Sequence, residues 1–94
     1  MTDEKVLEIL KVISHPTWVE ILRRIKAKQC ESGATCSLVW DGMDISQSTF
    51  SHHISELAQS GLIKGTSQGR FMMLEVDEEV WNEFQKNLGS AIFS

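Results

Sequence analysis

The sequence predicts a mainly helical fold carrying one small β-hairpin, and three observations predict it. Apolar residues recur at helical spacing in four separate stretches. Between residues 62 and 76 the pattern changes to two apolar runs around a turn-like "TSQG". Proline, serine and glycine fall between these stretches, where breaks belong.

The elements follow in order. Residues 3–13 place Val6, Ile9, Leu10 and Ile13 on one stripe, with Asp3 and Glu4 suited to a helix N-terminus. "SHP" breaks the pattern, and Pro16 is well placed as a first helical residue. "PTWVEILRRIKAK" then aligns Trp18, Ile21, Leu22 and Ile25 and ends in cations. "QCESGATC" reads as a loop marked by Ser32 and Gly33, and "SLVWDGM" as a short helix at most. Ser46 is a suitable N-cap for a strong helix over 47–60, which Gly61 would terminate. Leu62-Ile63 and the run Phe71–Val76 form the hairpin. Asp77, Glu78 and Glu79 open a last helix with Val80, Trp81, Phe84 and Leu88 on its stripe, followed by Gly89. Helix, helix, short helix, helix, hairpin, helix is the winged helix-turn-helix arrangement (α-α-α-α-β-β-α), and residues 1–94 make one domain. An isolated hairpin is marginal in water, so this one must pack on the helices.

Composition restricts function. Hydrophobic residues make up 41% and charged residues 23%, ordinary for a water-soluble chain, and no run approaches the roughly 20 apolar residues of a membrane span. "MTDEK" is acidic and unlike a signal peptide, so a cytoplasmic protein with no membrane partner and reduced Cys30 and Cys36 is expected. A net charge of −4 argues against bulk positive charge as the hold on nucleic acid. It leaves local docking open, because phosphate contacts depend on where a few cations sit. Arg23, Arg24, Lys26 and Lys28 form one cluster, and Lys64 and Arg70 a sparser one. The chain has no glycine-rich phosphate loop, no nucleophile elbow and no metal-ligand pair at helical spacing. An enzyme is therefore not expected, and no cofactor or metal is called for.

The helix over 47–60 carries the functional signal. At about 100° per residue, Phe50, Ile54 and Leu57 share one face. His53 borders that face, while Ser48, Ser51, His52, Ser55 and Gln59 lie opposite. His52 and His53 thus diverge by about 100° and cannot easily hold one ion. The outward face is small and polar, with no acid but Glu56 at its rim. Gln, Ser and His side chains can hydrogen-bond base edges in a major groove, and the helix N-terminus beneath Gln47 and Ser48 favours phosphate. Arg70, after Gly69 at the turn, could reach a phosphate or a minor groove, and Lys64 a phosphate.

"HPTWVEILRRI", "ISQSTFSHHISELAQSGLI" and "GRFMMLEV" together resemble, in order and spacing, the ArsR-type (arsenical resistance repressor) winged-helix regulators. The resemblance implies a homodimeric transcription factor, usually a repressor that leaves DNA when an inducer binds. It places Gln47, Ser48, Ser51 and His52 in the DNA-reading part of the recognition helix, and Arg70 on the wing. It assigns the dimer interface to the first and last helices, here Leu7, Leu10, Val80, Trp81, Phe84 and Leu88. The sequence departs from the family at Trp18, where an arginine is usual, and at Trp40, where a small residue is usual. These two tryptophans either pack in the core or line a small ligand pocket.

Relatives often sense soft metals through cysteines at the short helix. Here Cys36 lies near that place, but Cys30 is six residues earlier and no third ligand accompanies them. A second metal site of the family needs a histidine on the last helix, and "DEEVWNEFQKNL" has none. Cys30 and Cys36 are either inert or candidate sensor thiols for redox, sulfur species or a soft metal, with the inducer unidentified. The expectation is a homodimer binding double-stranded, pseudo-palindromic operator DNA through the helix at 47–60 and the wing at 63–75. Gln47, Ser48 and His52 would read bases, and Ser51, Lys64 and Arg70 would hold the backbone. The alternative is a winged-helix protein-interaction module that does not read DNA.

Overall fold

A computed structural model of the chain describes residues 1–31 and 33–93; Ser32, expected in the loop, lies outside the described residues. Five helices and three short strands run in the order α1 (Asp3–Ile13), α2 (Pro16–Glu31), β1 (Ala34–Thr35), α3 (Cys36–Trp40), α4 (Gln47–Ser60), β2 (Ile63–Gln68), β3 (Phe71–Val76) and α5 (Glu78–Phe93). The winged helix-turn-helix expected from the sequence is present, with corrections at several element ends.

Cap chemistry sets most of the boundaries. Thr2 caps α1 by accepting from the Lys5 N–H. The Ser46 hydroxyl accepts from the Thr49 N–H, and Gly61 closes α4 in the left-handed conformation at φ +86°. The Asp77 carboxylate accepts from the N–H groups of Glu79 and Val80 and so starts α5.

The corrections have local causes. α2 runs through Gln29-Cys30-Glu31, which the sequence assigned to a loop. No helix breaker precedes Gly33, whose N–H closes on the Lys28 carbonyl at φ +108°. The following residues are not free either. Ala34 and Thr35 pair with Leu74 and Met73 as a third antiparallel strand, giving the order β1-β3-β2. Two residues carry no periodicity, so this strand was not visible in the sequence. The hairpin turn is Gly69-Arg70, not "TSQG": Gln68 and Phe71 are the last paired residues. Gly69, at φ +62°, suits the first position of a tight hairpin turn. Gly89 does not end α5, which continues to Phe93; one exposed glycine costs a helix only about 1 kcal/mol.

The core is a single cluster. Val6, Ile9 and Val12 of α1 meet Ile21 and Ile25 of α2, Val39 of α3, and Phe50 and Leu57 of α4. Leu62, Ile63 and Leu74 seal the sheet against it, and Phe84 enters from α5. Ser60 is the one buried polar residue among those described. Its hydroxyl donates to the Leu57 carbonyl (2.6 Å) and accepts from the Leu62 N–H (3.3 Å), joining the end of α4 to the sheet without an unsatisfied group. The hairpin is thereby held at a fixed place relative to α4, as its marginal stability alone requires.

Candidate nucleic-acid interface

The outward face of α4 is as its periodicity requires. Gln47, Ser48, Ser51 and His52 are exposed, while Phe50 and Leu57 are buried beneath them. Ser46 organises the first turn: its hydroxyl donates to the Thr49 hydroxyl (2.9 Å) and stands 3.2 Å from that of Ser48. The side chains of Gln47 and Ser51 have no partner among the described residues. Their hydrogen-bonding groups are therefore available to an incoming surface. His52 lies 3.9 Å from Glu56 across one helical turn, an attraction that exists only when the ring is protonated.

His53 has a different task. Trp18 of α2 donates its indole N–H to His53 Nδ1 at 2.7 Å, so the neutral ring carries its proton on Nε2. His15 stacks on Trp18 with centroids 4.9 Å apart, and His53 meets Trp18 edge-on at 5.5 Å. Trp18 is thus a latch between α2 and α4. Burial, followed by the nearby His15 and His52, holds the His53 pKa below the ordinary histidine value. The unfolded chain therefore binds this proton first. Stability from this group is complete above about pH 6.5 and falls as pH drops towards the lower folded value. Protonation also turns Nδ1 into a donor and leaves the Trp18 N–H without an acceptor. The melting temperature is expected to fall between about pH 7.5 and 5.5, and to fall less in His53→Gln. An equal fall in both proteins, measured by thermal circular dichroism, would contradict this role.

Trp40 is occupied separately. Its indole N–H donates to the Ile45 carbonyl at 2.9 Å and pins the turn between α3 and α4. Trp40 lines an open cleft of about 640 Å3 between those helices, together with Cys36, Leu38, Met43, Gln47 and Ser51. Trp18 is not part of that cleft, so the two tryptophans do not share a pocket.

The cations are distributed differently from their spacing in sequence. Arg24 does not face outward as a phosphate ligand. Its guanidinium pairs with Glu20 at 3.1 Å and donates to the Val39 (3.2 Å) and Asp41 (2.6 Å) carbonyls. It thus satisfies the C-terminal end of α3, a role the sequence did not reveal because the partners are 15 and 17 residues away. Lys26 pairs with Glu78, and Lys28 stands 4.0 Å from Glu31. Lys64, proposed as a backbone contact, lies 3.7 Å from its cross-strand neighbour Glu75. Both are about half exposed, so this pair is weak and separable. Arg70 stands exposed at the hairpin tip without a partner among the described residues.

Cys30 is exposed in the last turn of α2, and Cys36 is half-buried at the start of α3; both are free thiols. Burial pushes the Cys36 pKa up, the reverse of an activated thiolate. Among the described residues no group of three His, Cys, Asp or Glu side chains could hold a metal ion. No helix of the described residues is long and apolar enough to cross a membrane.

The residues assigned to a dimer interface divide. Leu7 is 51% exposed, and Leu10, Val80, Trp81 and Leu88 are partly buried. Phe84 is turned into its own core, 2% exposed, because the stripe of α5 packs against α1. The exposed apolar groups of α5 are instead Ile92 and Phe93, beyond the glycine at which the helix was expected to stop.

Three helices with α4 presented on one side and a hairpin beside it define a winged helix-turn-helix protein. Residues 13–66 match the model of the helix-turn-helix domain family, and the chain belongs to that family. Its fold is that of the ArsR-type regulators. An ArsR family transcriptional regulator aligns over 96% of this chain and 89% of its own, with 24% identity and a TM-score of 0.77. An ArsR-like transcriptional regulator from Rhodococcus sp. RHA1 aligns over 93% and 78%, with 17% identity and a TM-score of 0.78. The transcriptional repressor BigR from Xylella fastidiosa aligns over 97% and 88%, with 18% identity and a TM-score of 0.66. No curated protein sequence matches significantly.

Proposed function

We propose that the chain is a transcriptional regulator that docks α4 in the major groove of operator DNA and sets the hairpin beside it, acting as a homodimeric repressor. The observation that carries this reading is the exposed, unpartnered Gln47 and Ser51 on a helix face with no cation and a single rim acid, together with a free Arg70 at the wing tip. Gln47, Ser48 and His52 read base edges, and Ser51, Lys64 and Arg70 hold phosphates. Residues 1–94 work as one DNA-binding unit, cytoplasmic and without catalytic chemistry. Leu7 and Leu10 of α1, with Leu88, Ile92 and Phe93 of α5, supply the apolar surface for a second copy, whose recognition helix enters the next major groove about one turn away. The similar solved structures are of transcriptional regulators and a repressor, which supports the class.

A protein-interaction role is the second reading, favoured by the net charge of −4 and the absence of Lys and Arg from α4. Salt separates the two. In fluorescence anisotropy against DNA upstream of its own gene, a DNA reader loses affinity log-linearly as salt rises, with a slope set by the phosphates it neutralises. Binding that is absent at low salt, or indifferent to salt, would favour the protein partner.

Release of DNA by a thiol-directed signal at Cys30 and Cys36 has a structural obstacle. Both residues sit in helices, and the segment between them is tied to β3 through Ala34 and Thr35. A bond between the thiols would act on α3 directly, because Cys36 is its first residue. The same anisotropy assay in oxidant, polysulfide, arsenite and zinc, repeated with Cys30→Ser and Cys36→Ser, decides it. No response, or one unchanged by both variants, removes the cysteines from the mechanism.

A further inference from the structure

Away from the α4 face, a recess of about 260 Å3 lies between α2, the sheet and the first turn of α5. Its surface is almost wholly apolar, made by Leu22, Leu62, Val76 and Trp81. Three exposed charged side chains complete it: Arg23, Lys26 and Glu78. They are not equivalent. Lys26 and Glu78 pair with each other, and the Glu78 carboxylate raises the Lys26 pKa above its ordinary value, so that ammonium stays charged and engaged. Arg23 has no partner among the described residues. Arg23 is therefore the one uncompensated charge among the side chains that line the recess.

That combination selects a ligand by charge and by shape. An apolar body would displace water from Leu22, Leu62, Val76 and Trp81, and a single carboxylate would take the planar fork of Arg23 in a bidentate pair. A cation would meet Arg23 and Lys26. A neutral molecule of the same body would forgo the charged pair. The volume lies just under the roughly 300–1,000 Å3 typical of pockets for drug-sized ligands, which favours one aromatic ring or a short aliphatic chain. We propose that this recess is a binding site for a small amphipathic monocarboxylate, with Arg23 receiving the carboxylate and Trp81 packing on the body. The site stands on α2, β3 and α5 and does not depend on the DNA-binding reading.

Titrating benzoate and hexanoate into the full chain, followed by 1H–15N spectra, tests it. At least one acid should give saturable shifts centred on the Trp81 indole N–H and the backbone amides of Arg23 and Leu62. Arg23→Gln, an exposed and unpartnered position whose spectrum reports an intact fold, should weaken binding at least about tenfold, and Arg23→Lys less. Hexanol and hexylamine should each bind at least about tenfold more weakly than hexanoate. The site is refuted if neither acid saturates, if the shifts centre elsewhere, if Arg23→Gln binds as well as the native chain, or if hexanol matches hexanoate.

Discussion

Replacing Phe50 with alanine is expected to destabilise the protein by about 3–5 kcal/mol, the largest effect of any single change to α4. Phe50 is 2% exposed and sits directly beneath the outward face formed by Gln47 and Ser51. Truncation removes the transfer energy of the ring and leaves a cavity that the close-packed core cluster can close only in part. For 94 residues, stability of about 5–15 kcal/mol is typical, so the loss is a large fraction of the total. Urea denaturation followed by circular dichroism measures it, and Phe50→Leu should fall between the two. A midpoint change equivalent to less than about 1 kcal/mol would show that Phe50 does not anchor α4.

On the proposed function, the second large effect is on DNA. Gln47→Ala is expected to cost about 1–3 kcal/mol of operator affinity and to relax preference at one base pair of each half-site, because a base-edge contact is sequence-specific. Arg70→Ala should weaken all sequences alike and lower the salt slope by about one per arginine lost. The two changes thus separate in kind as well as size. They lie on α4 and at the hairpin tip, and neither side chain has a partner within the described chain, so folding stability should be unchanged. Selection of binding sites from a random library, followed by anisotropy at several salt concentrations, reads both. Wild-type affinity in the double variant would overturn the residue assignment.

The absence of cations from α4 has a consequence for affinity. Phosphate contacts supply most non-specific binding, and here few cations are free to make them. Arg24, Lys26 and Lys28 are held by partners within the chain, and Lys64 must leave Glu75. On the surface of α4 and the hairpin, Arg70 and the helix N-terminus remain, doubled in the proposed dimer. Steep sequence preference with modest affinity for random DNA is the expected outcome.

The parts legible in the sequence share one property: each is decided over a few residues. The stripe Phe50, Ile54, Leu57 located α4 and separated His52 from His53. Ser46 and Gly61 marked its two ends, and both do so in the structure through local hydrogen bonds and a left-handed glycine. Asp77 at the start of α5 is of the same kind. The failures also share a property. The strand Ala34–Thr35 exists because Leu74 and Met73 lie beside it, the indole of Trp18 found His53 across 35 residues, and Gln29 turned helical where its side-chain oxygen accepts from the Val76 N–H at 3.0 Å. Phe84, apparently free to face a second copy, was taken by its own core.

By itself, then, the sequence determined the order of elements, the inner and outer faces of α4, and the chemistry that the outer face can offer, since periodicity and capping act within one or two turns of chain. Only the tertiary structure decided which charges and polar groups are spent. Arg23 and Arg24 are adjacent in sequence, yet Arg24 closes the end of α3 while Arg23 lines an apolar recess without a partner among the described residues. A cation's partner is chosen by whatever carbonyl or carboxylate folding brings within about 3 Å, and that is a long-range property no local pattern records.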